Sequence, residues 1–136
     1  MKTRSDIAIN YFNGGCNCAQ AVLSALKDYT GLDIETSQNI SAGFGGGIGN
    51  ANSICGAVSG TIMAIGVWKA HYGATKSTTF YRERFLKELK HYTPEFTCKG
   101  IMNRRPCFIN NQSRVCIGVV SKSVEIFEEI VKLEKS

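Results

Sequence analysis

Gly43-Phe44-Gly45-Gly46-Gly47-Ile48-Gly49-Asn50-Ala51-Asn52-Ser53-Ile54-Cys55-Gly56-Ala57-Val58-Ser59-Gly60, continuing as Thr61-Ile62-Met63-Ala64-Ile65-Gly66-Val67-Trp68, decides how this chain is read. Positions 43–49 hold five glycines and predict a loop. The residues after it predict a helix over about 54–71. No side chain between Glu35 and Lys69 carries a charge, the thiol of Cys55 being the one group there that can ionise. A helix apolar all round is expected to be buried on all sides and so to stand at the centre of a small fold. Cys55 falls where loop becomes helix. A thiol in a first helical turn meets the partial positive charge of the helix N-terminus, which favours thiolate.

Outward from this stretch, the chain is expected to form one domain over 1–136, long enough to bury a real core. A net charge of +5 aids solubility and attracts anions without indicating nucleic acid. The first twelve residues lack the apolar run of a signal peptide, and glycines interrupt the uncharged stretch 36–68 too often for a membrane span. A cytoplasmic location is therefore expected. In that compartment six cysteines point to metal ligands or redox thiols rather than to a disulfide frame.

Residues 4–13 predict a short helix closed by Gly14-Gly15. Asn17 predicts the cap of a second helix from Cys18 to about Tyr29, stopped by Gly31, with Cys18, Val22, Ala25 and Tyr29 on one face. A third runs from after Asp33 to about Ala42, anchored by Ile34 and Ile40. Ser53 is the expected cap of the central helix, which ends near Tyr72-Gly73. Its Gly56-x-x-x-Gly60 pair predicts close approach to a neighbouring helix. Residues 76–92 predict an amphipathic helix with Phe85, Leu89 and Tyr92 on its buried stripe. A basic stretch, 98–114, carries Lys99, Arg104, Arg105 and Arg114 and no acid. The last helix is expected from Ser113 or Arg114 to Leu133, turning Cys116, Val120, Val124, Phe127 and Val131 inward. No segment alternates as a strand would. The expected fold is all-α, a compact bundle of five to six helices around the central apolar helix.

Cys18, Cys55 and Cys116 thus fall in the first turns of three helices, and Cys98 opens a segment within the basic stretch. Four thiols gathered at helix starts suit redox-active dithiols of lowered pKa, or ligation of an iron–sulfur cluster or, less readily, zinc. Arg104, Arg105 and Lys99 would favour thiolate in either chemistry. Free cysteines also serve as small buried hydrophobes, which is the bland alternative. No Cys-x-x-Cys occurs, so thioredoxin, zinc-ribbon and c-type haem patterns are absent.

Asn17-Cys18-Ala19-Gln20-Ala21-Val22-Leu23, the glycine run 43–49 and Cys55-Gly56-Ala57-Val58-Ser59-Gly60 resemble the small bacterial and archaeal family of redox-active proteins with the pattern C…CGAxxG…C…C. The resemblance spans nearly the whole chain. It implies that Cys18, Cys55, Cys98 and Cys116 are the family's four cysteines, with Cys16 and Cys107 extra and Cys107 a competitor for the fourth place. It implies a redox chemistry and no substrate.

The glycine loop fits neither the dinucleotide fingerprint nor a P-loop. Its backbone N–H groups, at Gly45, Gly46, Gly47 and Gly49, could hold an anion or a sulfide-bearing cluster, helped by Arg104 and Arg105. Tight packing against a helix is the simpler use. Three functions remain open at this level. One is thiol/disulfide or electron-transfer chemistry at a four-cysteine site, as in a thiol-dependent oxidoreductase. Another is an iron–sulfur electron-transfer or sensor module on the same cysteines. The third is a ligand- or partner-binding bundle whose cysteines are structural. The redox readings imply a partner protein or a small-molecule oxidant or reductant, no cofactor on the thiol reading, and are compatible with a homodimer.

Overall fold

A computed structural model describes residues 2–49, 53–102 and 109–135, and the side chains of these except 102 and 109–114. Arg104, Arg105 and Cys107, and the end of the glycine run at 50–52, lie outside the described residues. Every regular element within them is helical, so the fold is all-α.

α1 (Arg4–Asn13) opens on a capping box in which Thr3 and Asp6 each accept from the other's backbone N–H. α2 (Cys18–Ala25) opens the same way on Asn17 and Gln20. It ends earlier than its apolar face suggests. The Leu26 N–H is shared between the carbonyls of Val22 and Leu23, at 3.2 and 3.3 Å, which tightens the turn. α3 (Lys27–Thr30) then adds one turn, and Gly31 closes it in the left-handed region.

α4 (Ile34–Ser41) starts on Asp33, whose carboxylate accepts from the Thr36 N–H at 2.7 Å. Its buried residues are Ser37 and Ser41, and Ile40, an expected anchor, is 47% exposed. Small hydroxyl residues suit a helix laid close on α2, and Ser41 satisfies its own Oγ by donating to the Ser37 carbonyl at 2.6 Å. A 3-10 turn (Ala42–Phe44) leads into α5 (Gly45–Ile48). α5 is helical in hydrogen bonding only, because Gly46, Gly47, Ile48 and the closing Gly49 all have φ between 63° and 71°. It is one turn of left-handed helix, closed by the Gly49 N–H to the Gly45 carbonyl at 2.9 Å. Glycine pays no Cβ penalty there, but Ile48 does.

α6 (Gly56–Tyr72) is the charge-poor helix of the opening stretch, and it packs on α2, α3, α7 and α9. It is not buried on all sides. Ala57, Gly60, Thr61, Ala64, Ile65 and Trp68 are buried, while Ile62, Met63, Gly66 and Val67 are half-buried. The helix covered on nearly every side is α2, where all but one residue is buried. The two meet through Gly56 and Gly60. A Cβ at Gly56 would stand 2.8 Å from the Ala19 nitrogen, and one at Gly60 would stand 2.9 Å from the Ala19 oxygen. The Gly-x-x-x-Gly pair thus lets the two helices approach backbone to backbone, as its spacing predicts.

α7 (Thr78–Tyr92) is capped by Ser77 and buries Tyr81, Phe85 and Leu89. Tyr92, expected on that stripe, is 41% exposed, its hydroxyl lying over Gly118 at the edge of the bundle. α8 (Cys98–Met102) is a short turn, and α9 (Ile109–Lys135) is the longest helix described. α9 begins four or five residues before its expected start and buries Val120, Val124, Phe127 and Val131 as its spacing predicts. Trp68 closes the core between Tyr81 and Phe127, with ring centroids 5.1 and 6.1 Å away. Among the described residues no helix is long and apolar enough to cross a membrane.

Candidate functional site

Asn17 sets the first side of the site. Its carboxamide oxygen accepts from the Gln20 N–H at 2.9 Å, and its Nδ2 donates to the Ala42 carbonyl at 2.9 Å. One side chain therefore caps α2 and pins the approach to the left-handed turn beside it. Gly45 lies so close that an added Cβ would run into the Asn17 side chain. Cys18 is then the first residue of α2, facing inward and buried.

Cys55 forms the second side. It is itself the N-cap of α6, where Ser53 was expected. The reason is a contact across the sequence that no local pattern shows. The Cys55 N–H donates to the Phe96 carbonyl and the Cys98 N–H to the Ser53 carbonyl, both at 2.7 Å, around an antiparallel bridge of Ile54 with Thr97. That bridge brings the start of α8 against the start of α6. Thr97 caps α8 by accepting from the Gly100 N–H at 2.9 Å, and Cys98 is its first residue.

Cys116 arrives from α9. It sits about two turns inside that helix and not in its first turn, because α9 begins at Ile109. The helix dipole therefore does little for this thiol.

Cys18, Cys55, Cys98 and Cys116 line one cavity of about 330 Å³, together with Phe12, Asn17, Gly46, Gly47, Gly56 and Ile101. No charged side chain is among these lining residues. Of the glycines expected to bind a cofactor, Gly46 and Gly47 face the cavity, Gly45 packs on Asn17, and Gly49 closes the turn away from the lining. Cys16 does not line it; that thiol packs against the core, and burial raises its pKa. Phe12 and Ile101 were not expected. Ile101 stands three residues after Cys98 on the same helical face, a spacing that could have signalled it. Phe12 had no signal beyond being apolar.

The thiols differ. Cys18 shares hydrogen-bond contact with both Cys116 and Cys55, and these contacts, with burial, raise its pKa and hold it protonated. The Cys116 thiol is lowered to about 7, because Cys18 can donate to its sulfur, and burial opposes the shift. Cys55 is also lowered, first by Cys18, against burial, and then with help from the Ala57 and Val58 N–H groups. Those two N–H groups fall short of cap hydrogen-bond geometry, so their help is the field of a helix start and not a formed bond. The Cys98 thiol is raised by burial and by the nearby Cys55 and Cys116. Cys18 has one proton to donate, so Cys55 and Cys116 compete for it. Among the described residues no three His, Cys, Asp or Glu side chains stand in a metal-holding arrangement.

Two comparisons with known proteins now bear on this arrangement. A protein of Archaeoglobus fulgidus, itself uncharacterized, is 29% identical to this chain over 95% of its length and 93% of the relative's. No solved structure matches the chain. The family model described as "Putative redox-active protein (C_GCAxxG_C_C)" matches residues 16–130, a span that contains the whole cavity except Phe12. This chain, with Cys55-Gly56-Ala57-Val58-Ser59-Gly60 at its centre and single cysteines on either side, belongs to that family.

Proposed function

We propose that the chain performs thiol–disulfide redox chemistry at Cys18, Cys55, Cys98 and Cys116. The observation that carries this reading is the shared cavity, where the buried Cys18 stands with Cys55, Cys98 and Cys116 in one lining. The reaction is a two-electron exchange. Two thiols of the site become a disulfide, and their electrons and protons reduce a disulfide of a partner protein or small molecule to two thiols. The lowered thiols supply the attacking thiolate, and the protonated Cys18 supplies a proton to the departing one. Among the described residues the lining carries no charge, and such surroundings suit an apolar or uncharged disulfide.

The test is anaerobic purification followed by thiol counting before and after mild oxidation. The expected result is a colourless protein that loses two thiols within the set of four on treatment with a small disulfide and regains them with dithiothreitol. A brown protein containing iron and sulfide would replace this reading with the iron–sulfur module on the same four cysteines. Thiols that stay reduced and unreactive would leave a binding bundle with structural cysteines.

A further inference from the structure

The four thiols are not equivalent in access. Cys18 and Cys55 are buried, at 9% and 5% exposure, whereas Cys116 and Cys98 are half-buried. An incoming disulfide therefore reaches Cys116 before it reaches Cys55. Cys55, in turn, lines the same cavity from the start of α6, where a Cβ on its neighbour Gly56 would stand 3.2 Å from the Cys18 Cβ. A central thiol with two flanking thiols, one accessible and one enclosed, has two disulfides available to it.

Resting on the redox reading above, we propose that Cys116, Cys18 and Cys55 form a three-thiol relay, in which oxidation enters at Cys116 and the disulfide is passed inward to Cys18–Cys55. The steps balance as follows. The Cys116 thiolate attacks the incoming disulfide RSSR, forming a mixed disulfide and releasing one RS⁻. Cys18 gives its proton to that thiolate and attacks the Cys116 sulfur, forming Cys18–Cys116 and releasing the second RS⁻. The Cys55 thiolate then attacks the Cys18 sulfur, forming Cys55–Cys18 and returning Cys116 as thiolate. One RSSR is reduced, and Cys18 and Cys55 are the two thiols oxidised. The lowered Cys116 thiol fits its entry role, made while Cys18 still holds its proton.

The relay makes the resting oxidised form a buried disulfide and leaves an accessible thiolate ready for another substrate. Cys98, lining the same cavity, is a thiol with which that returned thiolate could pair in a second oxidation.

The experiment treats the reduced full-length chain, without oxygen, with one equivalent of 2-hydroxyethyl disulfide, which carries no charge. Samples are quenched in acid, alkylated and mapped by mass spectrometry over time. In the wild type Cys18–Cys116 should appear first and give way to Cys18–Cys55. In Cys55→Ser the reaction should stop at Cys18–Cys116. In Cys116→Ser the first step should slow by at least about tenfold at pH 7, given the thiolate fraction lost. Circular dichroism of each variant confirms that its helices are intact, and Cys55→Ala repeats the Cys55 arm should the serine variant lose them. A wild-type disulfide that remains at Cys18–Cys116, or Cys116→Ser reacting at the wild-type rate, overturns the relay alone. A wild type that forms no disulfide among these cysteines overturns the redox reading and the relay together.

Discussion

α1, α2 and α9 run between two ends of the molecule that are built on opposite principles. At one end Arg4 donates to Asp28 at 2.9 Å and to Glu128 at 3.1 Å, and the Tyr29 hydroxyl donates to Glu128 at 2.7 Å. The Arg4 guanidinium also covers the Tyr29 ring at 4.6 Å. Burial, and then the bond to Glu128, push that phenol up to about 12. At the other end stand Phe12 of α1, Cys18 of α2 and Cys116 of α9, in a cavity whose described lining carries no charge. The ionic end is joined by side chains that reach across gaps. The thiol end is joined by absent side chains, since Gly45, Gly56 and Gly60 let backbone meet neighbour directly. Long side chains can readjust; backbones packed too closely to admit a Cβ cannot. The thiols are thus held where the fold is least forgiving, as a site that must keep several sulfurs in register requires.

The largest break in this comparison should come from Gly60→Val. Its branched side chain has to enter the Ala19 backbone, and overpacking of this kind costs about 3 kcal/mol. Urea denaturation should show the loss, and the variant should also lose selective alkylation of Cys116, because α2 carries Cys18 away from it.

A second effect separates the ends by pH. The folded Cys116 thiol is lowered to about 7 from its ordinary 9.0, so its contribution to stability is complete above pH 9 and is lost as pH falls through 7. Cys18, Cys98 and Cys16 are raised, so theirs is present below 9 and lost as pH rises above it. Stability of the reduced protein should therefore climb from pH 7 toward 9 and fall beyond. The Cys18→Ala variant should alkylate at Cys116 with a midpoint well above 7. An unchanged midpoint would show that Cys18 is not the donor.

Arg4→Met tests the ionic end. Asp28 is 61% exposed and Glu128 28%, so solvent screening limits the loss to about 1 kcal/mol, and the loss should shrink in high salt. Cys116 reactivity should not change. The smallest effect has the opposite sign. Gly66 lies in the same helix as Gly60, yet a Cβ there meets nothing within 4 Å, so Gly66→Ala should stabilise α6 by about 1 kcal/mol. If Gly66→Ala destabilises instead, something covers that half-buried face in solution, and sedimentation of the wild type would show the second copy.

Caps and periodicity made most of this legible. Thr3-x-x-Asp6, Asn17-x-x-Gln20, Asp33 and Ser77 are local signals, and the chain obeys each of them. Cys18 and Cys98 could be placed at helix starts for the same reason. Cys55 took the cap position from Ser53 because a strand-like bridge with Thr97 claims the Ser53 carbonyl, and pairing over forty residues leaves no trace in a local window. Cys116 was placed one helix start too late because the apolar stripe of α9 begins after its hydrogen bonding does. Ile40 and Tyr92 misled in the same direction: each continues a stripe whose last member runs off the edge of the core.

The left-handed turn at 46–49 has a consequence for chirality. Four successive residues there adopt the backbone of a mirror-image helix, a shape that D-amino acids favour as L-amino acids favour its opposite. Ribosomal synthesis offers glycine as the one residue indifferent to hand, and Ile48 is the position where it was not used. A chain assembled by chemical ligation with D-isoleucine at 48 would keep the turn and shed the penalty. One with L-alanine at 46 or 47 would carry that penalty into the wall of the thiol cavity. At 46 and 47, in this wall, the genetic code therefore holds no better-fitting side chain than none at all.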